Sequence, residues 1–129
     1  MVTLELRSQK REELIDITPK IAEFVSASGV QKGLCFVYVP HTTAGVTINE
    51  NADQDVKTDI LMALRQAVPD TLPWHHAEGN ATAHVKASLV GSSVSIIIER
   101  GQLQLGTWQG VYFCEFDGPR TRQVFVRVS

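Results

Sequence analysis

The last third of the chain consists of short, mostly apolar stretches separated by glycine-containing turns. The stretches are Ser93–Glu99, Gly110–Phe116 and Gln123–Val128, and the turns contain Gly101, Gly106 and Gly118. Short runs rich in β-branched and aromatic residues between glycines are typical of β-strands. Because the connections are too short for crossover helices, neighbouring strands are expected to pair antiparallel. The chain must therefore fold into a class that contains an antiparallel sheet.

The N-terminal region predicts two short strands and a helix. Val2, Leu4 and Leu6 alternate with polar residues, and 14–18 continues in extended fashion. Thr18 is a candidate N-cap, Pro19 suits the first helical position, and Gly29 can end the helix. The apolar face of this helix is expected to pack on the sheet.

The middle of the chain predicts two more strands and two more helices. A strand over 34–39 ends at Pro40, and another includes Val46 and Ile48. Apolar residues recur at helical spacing over 53–68, and a second, shorter helix over 82–90 ends at Gly91. A long loop, 70–80, lies between them. This arrangement predicts an α+β class with mostly antiparallel sheet, in a single domain spanning 1–129.

The composition excludes several classes of partner. The 129 residues carry a formal charge of −2, with 43% hydrophobic and 20% charged residues. Such a balance gives no broad positive field for nucleic acid or an anionic membrane. No apolar run approaches the roughly 20 residues that a membrane span requires, and the first 20 residues are too charged for a signal peptide. We therefore expect a cytoplasmic protein that binds neither nucleic acid nor membranes.

Two cysteines, Cys35 and Cys114, lie in strand-like contexts. A free thiol in such a position behaves as a small buried apolar group. Buried free thiols are the prediction, with a disulfide or a thiolate metal ligand as the alternatives.

The four histidines fall at positions 41, 75, 76 and 84. Three imidazoles with an open fourth position form a catalytic zinc site, and His41, His75 and His84 are the candidate ligands. Their spacing matches no standard zinc motif, so surface and capping roles for these histidines are the alternative interpretation. His84 in particular could simply be half buried on its helix.

Acidic and amide residues form two further groups of candidates. Asn49 and Glu50 end a strand close in sequence to His41, where a carboxylate could orient an imidazole or accept a proton. Asn51 or Asp53 can cap the following helix. Glu78 lies between two proposed ligands and is the leading acid–base candidate, although it could also cap the helix after it.

Cationic groups offer several possible anion sites. Lys86, Arg120 and Arg122 are the side-chain candidates, and the alternate spacing of the two arginines would direct both to one side of an extended segment. Backbone amides around Thr42, Thr43 and Thr107 could also bind an anion. Trp108, in a glycine-bounded turn, could stack on a heterocycle or belong to the core.

Three segments together closely resemble the YjbQ family. They are His-Thr-Thr-Ala-Gly-Val-Thr-Ile-Asn-Glu-Asn-Ala-Asp at 41–53, Glu-Gly-Asn-Ala-Thr-Ala-His-Val-Lys-Ala-Ser-Leu-Val-Gly at 78–91, and Gly-Gln-Leu-Gln-Leu-Gly-Thr-Trp-Gln-Gly-Val at 101–111. The resemblance extends over nearly the whole chain. It implies a YjbQ-like α+β fold with an antiparallel β-sandwich and two to three helices, assembled as a homotrimer.

The resemblance also selects site residues. It implies metal ligands at His41, His75 and His84, and leaves His76 outside the site. The other positions that it selects are Asn49, Glu50, Asn51, Glu78, Lys86, Thr107, Trp108, Gln109 and Arg120.

The activity implied by the resemblance is that of a secondary thiamine-phosphate synthase, which joins hydroxymethylpyrimidine diphosphate to thiazole phosphate with loss of pyrophosphate. Lys86, Arg120 and Trp108 would then contact a small phosphorylated substrate. Three histidines favour zinc, whereas pyrophosphate chemistry commonly uses magnesium. The alternatives are a metal-dependent hydrolase, with Glu50 or Glu78 as base, and a non-catalytic trimeric binding module.

Overall fold

The computed structural model describes all 129 residues and contains eight strands and three helices. In chain order these are β1 Val2–Arg7, β2 Glu13–Asp16, α1 Thr18–Ser28, β3 Lys32–Tyr38, β4 Ala44–Glu50, α2 Gln54–Ala67, α3 Ala81–Val90, β5 Ser93–Glu99, β6 Gln102–Leu103, β7 Gln109–Glu115 and β8 Thr121–Val128.

The strands form two antiparallel sheets that curl into a half-barrel. The larger sheet has the order β1-β8-β3-β5-β6, and the smaller has the order β2-β7-β4. Every strand pair is antiparallel, including pairs between distant parts of the chain such as β1 with β8. The predicted α+β fold with antiparallel sheets is therefore confirmed.

The main core lies between the two sheets. Alternate residues of the larger sheet point inward, so Val37 and Ile98 are fully buried whereas their neighbours Phe36 and Ile97 are exposed. Phe113 on β7 packs against the same core from the smaller sheet. Helix α1 closes one side of this core with Ile21 and Val25.

Helices α2 and α3 cover the outer face of the smaller sheet. A second core contains Tyr112 and Phe116 from the β7 region together with Ala83 and Ala87 from α3, and α2 adds partly buried side chains such as Leu61. The smaller sheet is thus the middle layer of the molecule. This arrangement places α3 beside β4, where the candidate site begins.

The helix ends follow local chemistry, with one correction. The Asp53 carboxylate caps α2 by accepting a hydrogen bond from the Asp55 amide at 2.9 Å, as predicted. Gly29 ends α1 with a left-handed φ of 73°. Thr18 is not the N-cap of α1, because Ile17 occupies that position. The Thr18 hydroxyl instead donates to Asp16 and accepts from the Val111 amide, which fastens α1 to β7.

Both cysteines are free and buried, as predicted. Burial raises the pKa of the Cys35 thiol to about 11 and that of Cys114 to about 12. None of the helices combines the length and apolar character needed to cross a membrane.

Candidate functional site

His41 lies just after β3, in the connection that leads to β4. Its Nε2 accepts a hydrogen bond from the Gln123 backbone amide at 3.0 Å. Burial lowers the pKa of His41 from its ordinary value, and the nearby Arg122 charge lowers it further. The imidazole is therefore neutral at pH 7, and its proton lies on Nδ1 because Nε2 acts as the acceptor.

His84 shares a cavity with His41. This cavity, of about 520 Å³, lies between α3 and the β3–β4 connection. Hydroxyl groups of Thr42, Ser88 and Ser92 share the remaining lining with small residues such as Ala87. Two of the three predicted metal ligands thus line one cavity.

A close backbone contact lies next to this cavity, at Gly91. The Val46 amide donates to the Gly91 carbonyl at 3.0 Å, which joins β4 to the end of α3. A Cβ atom on Gly45 would lie 2.5 Å from the same carbonyl oxygen, so only glycine permits this approach. The separation between the two histidine-bearing segments is therefore fixed by main chain.

Below the cavity, Arg122 and Glu115 form a buried ion pair. The Arg122 side chain is 3% exposed and that of Glu115 is 0% exposed. Arg122 Nε donates to Glu115 at 2.9 Å, and the terminal nitrogen also donates to the hydroxyl and carbonyl of Thr43. The pair therefore holds the connection that carries His41.

Hydrogen bonds complete the surroundings of Glu115. Ser8 Oγ donates to it at 2.7 Å, and the Asp117 amide donates at 3.0 Å. Burial alone would raise the pKa of Glu115, but the hydrogen bonds from Arg122, Ser8 and Asp117 outweigh it and the pKa is lowered. The carboxylate is thus ionised at neutral pH despite its burial.

Two predicted anion-binding side chains face the interior instead. Lys86 is buried on α3 and donates to Glu12 at 2.6 Å, which anchors the β1–β2 connection to the helix. Arg122 is committed to Glu115 and Thr43 as described. Neither cation is free to contact a substrate.

The expectation that Arg120 and Arg122 point the same way is wrong. Arg122 is buried, whereas Arg120 lies at the surface and pairs with Asp117 at 3.0 Å.

The third predicted metal ligand, His75, is exposed and does not line the cavity. The ring that approaches His84 is that of His76, at 5.0 Å between centroids and nearly perpendicular. Sequence reasoning had left His76 outside the site. Its closeness to His84 becomes evident only from the loop conformation.

The predicted zinc site does not fit the residues of one chain. The Nε2 lone pair of His41 is already used by the Gln123 amide, and His75 lies away from the other two ligands. No three or more His, Cys, Asp or Glu side chains form a group able to hold a metal ion. Whether the protein binds zinc or magnesium stays a prediction, which metal analysis of the purified protein tests.

Glu78 lies in the loop before α3, with a side chain that is 75% exposed. It is 3.8 Å from His76 and does not line the histidine cavity. The neighbouring Asn80 donates to Asp117 at 2.8 Å, while its Oδ1 is buried without a partner. Asn80 occupies the N-cap position of α3 but makes no capping hydrogen bond with its side chain.

The remaining candidates form a second group at the other end of β4. The Asn51 backbone N–H donates to the Trp108 backbone carbonyl at 2.9 Å, and the Tyr112 hydroxyl donates to the Glu50 backbone carbonyl at 3.1 Å. Trp108 is 63% exposed, so it does not belong to the core. Asn49, Thr107 and Gln109 complete this group, and the side chains of Asn49 and Gln109 are engaged in local backbone hydrogen bonds.

The two groups are separated by the length of β4. His41 precedes this seven-residue strand and Glu50 ends it. At about 3.3 Å per residue the separation is on the order of 20 Å. Within one chain, Glu50 and Trp108 therefore cannot contact a small ligand bound between His41 and His84.

A sequence model described as UPF0047 protein YjbQ-like matches residues 2–129. The chain belongs to the YjbQ family. It is 50% identical to the UPF0047 protein YugU of Bacillus subtilis, over 98% of this chain and 96% of that protein. It is 53% identical to the UPF0047 protein MJ1081 of Methanocaldococcus jannaschii, over 96% and 90% of the two chains.

The fold agrees equally well. A crystal structure of an uncharacterized conserved YjbQ/UPF0047-family protein from Clostridium acetobutylicum is 53% identical, covers both chains completely and superimposes with a TM-score of 0.98. A structure from Aeropyrum pernix is 38% identical over 99% and 96% of the chains, with a TM-score of 0.94. The chain thus has the YjbQ fold, and the names of these relatives state no activity.

Sequence reasoning did not identify Glu115 or Glu12 as structural partners of the site. A signal for Glu115 was present, since it is the single charged residue in the apolar run Val-Tyr-Phe-Cys-Glu-Phe at 111–116. A lone charge in a buried strand of a YjbQ-family chain requires a buried partner. The partner itself could not be chosen from the sequence, because β7 and β8 belong to different sheets.

Proposed function

We propose that the protein is an enzyme that binds a small phosphorylated molecule in the cavity between His41 and His84 and catalyses a transfer of the thiamine-phosphate synthase kind. The observation that carries this proposal is that two histidines from separate elements line one cavity together with three hydroxyl-bearing residues. A neutral His41 with its proton on Nδ1 supplies a hydrogen-bond donor there.

The proposed reaction requires stabilisation of a leaving group. The thiazole nitrogen attacks the methylene carbon of hydroxymethylpyrimidine diphosphate, the carbon–oxygen bond breaks, and pyrophosphate leaves with the bonding electrons. No proton has to be removed from either reactant to form the thiazolium product. A donor such as His41 Nδ1–H contributes by holding the pyrophosphate oxygen on which negative charge develops.

We further propose a homotrimer, supported by an apolar outer face on the larger sheet. Phe36, Tyr38 and Ile97 are 44%, 48% and 57% exposed, and Tyr38 stacks on Phe125. An exposed apolar patch of this kind is typical of contact surfaces. In a closed ring of three chains each interface joins two different surfaces. The Glu50–Trp108 group of one chain could then complete the histidine cavity of the next.

A cytoplasmic location is part of the same proposal. It is supported by the two free, buried cysteines, because a reducing compartment preserves thiols.

Size-exclusion chromatography with light scattering tests the proposed homotrimer. The expected mass is three times that of the 14.2 kDa chain.

The decisive experiment measures thiamine phosphate formed from hydroxymethylpyrimidine diphosphate and thiazole phosphate. The wild type is compared with His41→Gln and His84→Gln, and the exposed His75→Gln serves as the matched control. We expect product formation to fall at least about tenfold in the first two variants and to be unchanged in the control. Equal activity in all four proteins, or none in the wild type, overturns the proposal.

Two further measurements distinguish the alternatives. Elemental mass spectrometry of the native protein tests for zinc, and p-nitrophenyl phosphate turnover dependent on added zinc would establish the metal-dependent hydrolase instead. Saturable pyrophosphate binding at the cavity without any turnover would establish the binding module.

A further inference from the structure

A second cavity lies between α1 and the β5–β6 hairpin. Its volume is about 580 Å³, larger than that of the histidine cavity, and the two share no lining residue. Its apolar residues include Ala22 on α1, Leu103 in β6 and Leu105 just after the hairpin. We call this cavity the α1 groove.

Polar residues line the α1 groove on more than one segment. Thr18 and Ser26 lie on α1, Gln31 and Gln102 carry no charge, and Arg100 is the only cationic residue in the lining. Arg100 takes part in none of the ion pairs of the chain. The groove is therefore mixed in character, with four apolar residues beside polar ones, and Arg100 is the only charged residue in its lining.

The backbone of Arg100 is held in an unfavourable conformation. Arg100 and Gly101 form the two-residue turn between β5 and β6, with φ angles of 52° and 74°. A turn of this shape normally takes asparagine, aspartate or glycine at its first position, because a longer side chain is disfavoured in the left-handed region. Arg100 is the only residue other than glycine with a positive φ in the chain.

The surroundings fix this turn. The Gly101 amide donates to the Gln31 carbonyl at 3.0 Å, which ties the turn to the segment that follows α1. A strained residue that the rest of the structure holds in place is a reason to look for a function. Here the strained residue is an arginine that lines the α1 groove.

We propose that the α1 groove binds a small amphipathic monocarboxylate. Arg100 holds the carboxylate through its fork of donors, and Ala22, Leu103 and Leu105 contact the aliphatic part. A single cation matches one negative charge, so a monocarboxylate fits better than a doubly charged phosphate monoester. This site is independent of the activity proposed for the histidine cavity.

Hexanoate is a suitable probe, and amide chemical shifts of the ¹⁵N-labelled full chain are the measurement. We expect saturable shifts at Ala22, Gly101 and Leu103, and none with hexylamine, which has the same chain length and the opposite charge. Hexyl phosphate is expected to bind more weakly than hexanoate. Hexanoate shifts spread evenly over the surface, or equal binding of hexylamine, would overturn the proposal.

Arg100→Asn is the informative variant, because asparagine suits the turn and removes the guanidinium. It should fold at least as stably as the wild type and bind hexanoate about tenfold more weakly or worse. Arg127→Gln, an equal charge change on the outer face of the larger sheet, should leave binding unchanged. His41→Gln should also leave it unchanged. Undiminished hexanoate binding in Arg100→Asn refutes the site whatever the outcome of the synthase assay.

Discussion

The buried pair of Arg122 and Glu115 allows a quantitative test of how the site is held together. Replacing Arg122 by methionine keeps much of the side-chain volume but removes every hydrogen bond that the guanidinium makes to Glu115 and Thr43. Glu115, which is 0% exposed, then keeps its charge with only Ser8 and the Asp117 amide as partners. Breaking one side of such a pair costs about 3–5 kcal/mol, so Arg122→Met should lower the free energy of unfolding by that amount.

Urea denaturation followed by far-ultraviolet circular dichroism, at one fixed protein concentration, measures the loss. Arg120→Met is the matched control, because its partner Asp117 is also acidic but the Arg120 side chain is 49% exposed. Its loss should stay below about 1 kcal/mol. The double variant Glu115→Gln with Arg122→Met should recover at least about 1 kcal/mol relative to Arg122→Met, since the unpaired charge is gone.

The effect should also depend on pH. The folded-state pKa of Glu115 lies below its ordinary value, so its ionised form stabilises the wild type above about pH 4.5 and this contribution is lost as the pH falls. In Arg122→Met the carboxyl can take up a proton instead. The stability difference should therefore be largest near pH 7 and shrink towards pH 4. A loss below 1 kcal/mol at pH 7, or a difference that grows on acidification, would refute the account.

Three further outcomes are expected. In a nuclear magnetic resonance titration His41 should show a pKa below 6.5 and the Nδ1–H tautomer. Because the unfolded chain binds this proton more readily than the folded chain, the free energy of unfolding should fall as the pH drops below about 6.5. Cys35 and Cys114 should react with a thiol reagent only after denaturation, since both are buried with raised pKa values, and fast labelling of the native protein would contradict their placement. Asp53→Ala should cost about 1 kcal/mol of unfolding free energy by removing the cap of α2, whereas an unchanged denaturation midpoint would show that the cap is dispensable.

Much of the fold could be predicted from local sequence patterns. The helix predicted over 53–68 is observed at Gln54–Ala67, and the strand predicted at Ser93–Glu99 has those bounds. Such elements depend on side-chain periodicity and on glycine, proline and capping residues close by in the chain. The two-residue strand β6 was missed, because it is too short to show alternation and forms only through pairing with β5.

The candidate site was less predictable, for a physical reason. Whether a charged residue contacts a ligand or a buried partner depends on strand pairing, and β8 pairs with β1 across almost the full chain length. Arg122 and Lys86 therefore looked like surface cations, although both are buried in ion pairs. Likewise, the choice between His75 and His76 depends on the loop conformation, which no periodicity encodes.

The contact between Gly45 and the Gly91 carbonyl makes the width of the histidine cavity independent of its chemistry. Its width is determined by main-chain atoms, whereas its chemistry is determined by side chains such as Ser88 and Ser92 on the rim. Exchanges at the rim can thus change which ligand is recognised without altering the spacing of His41 and His84.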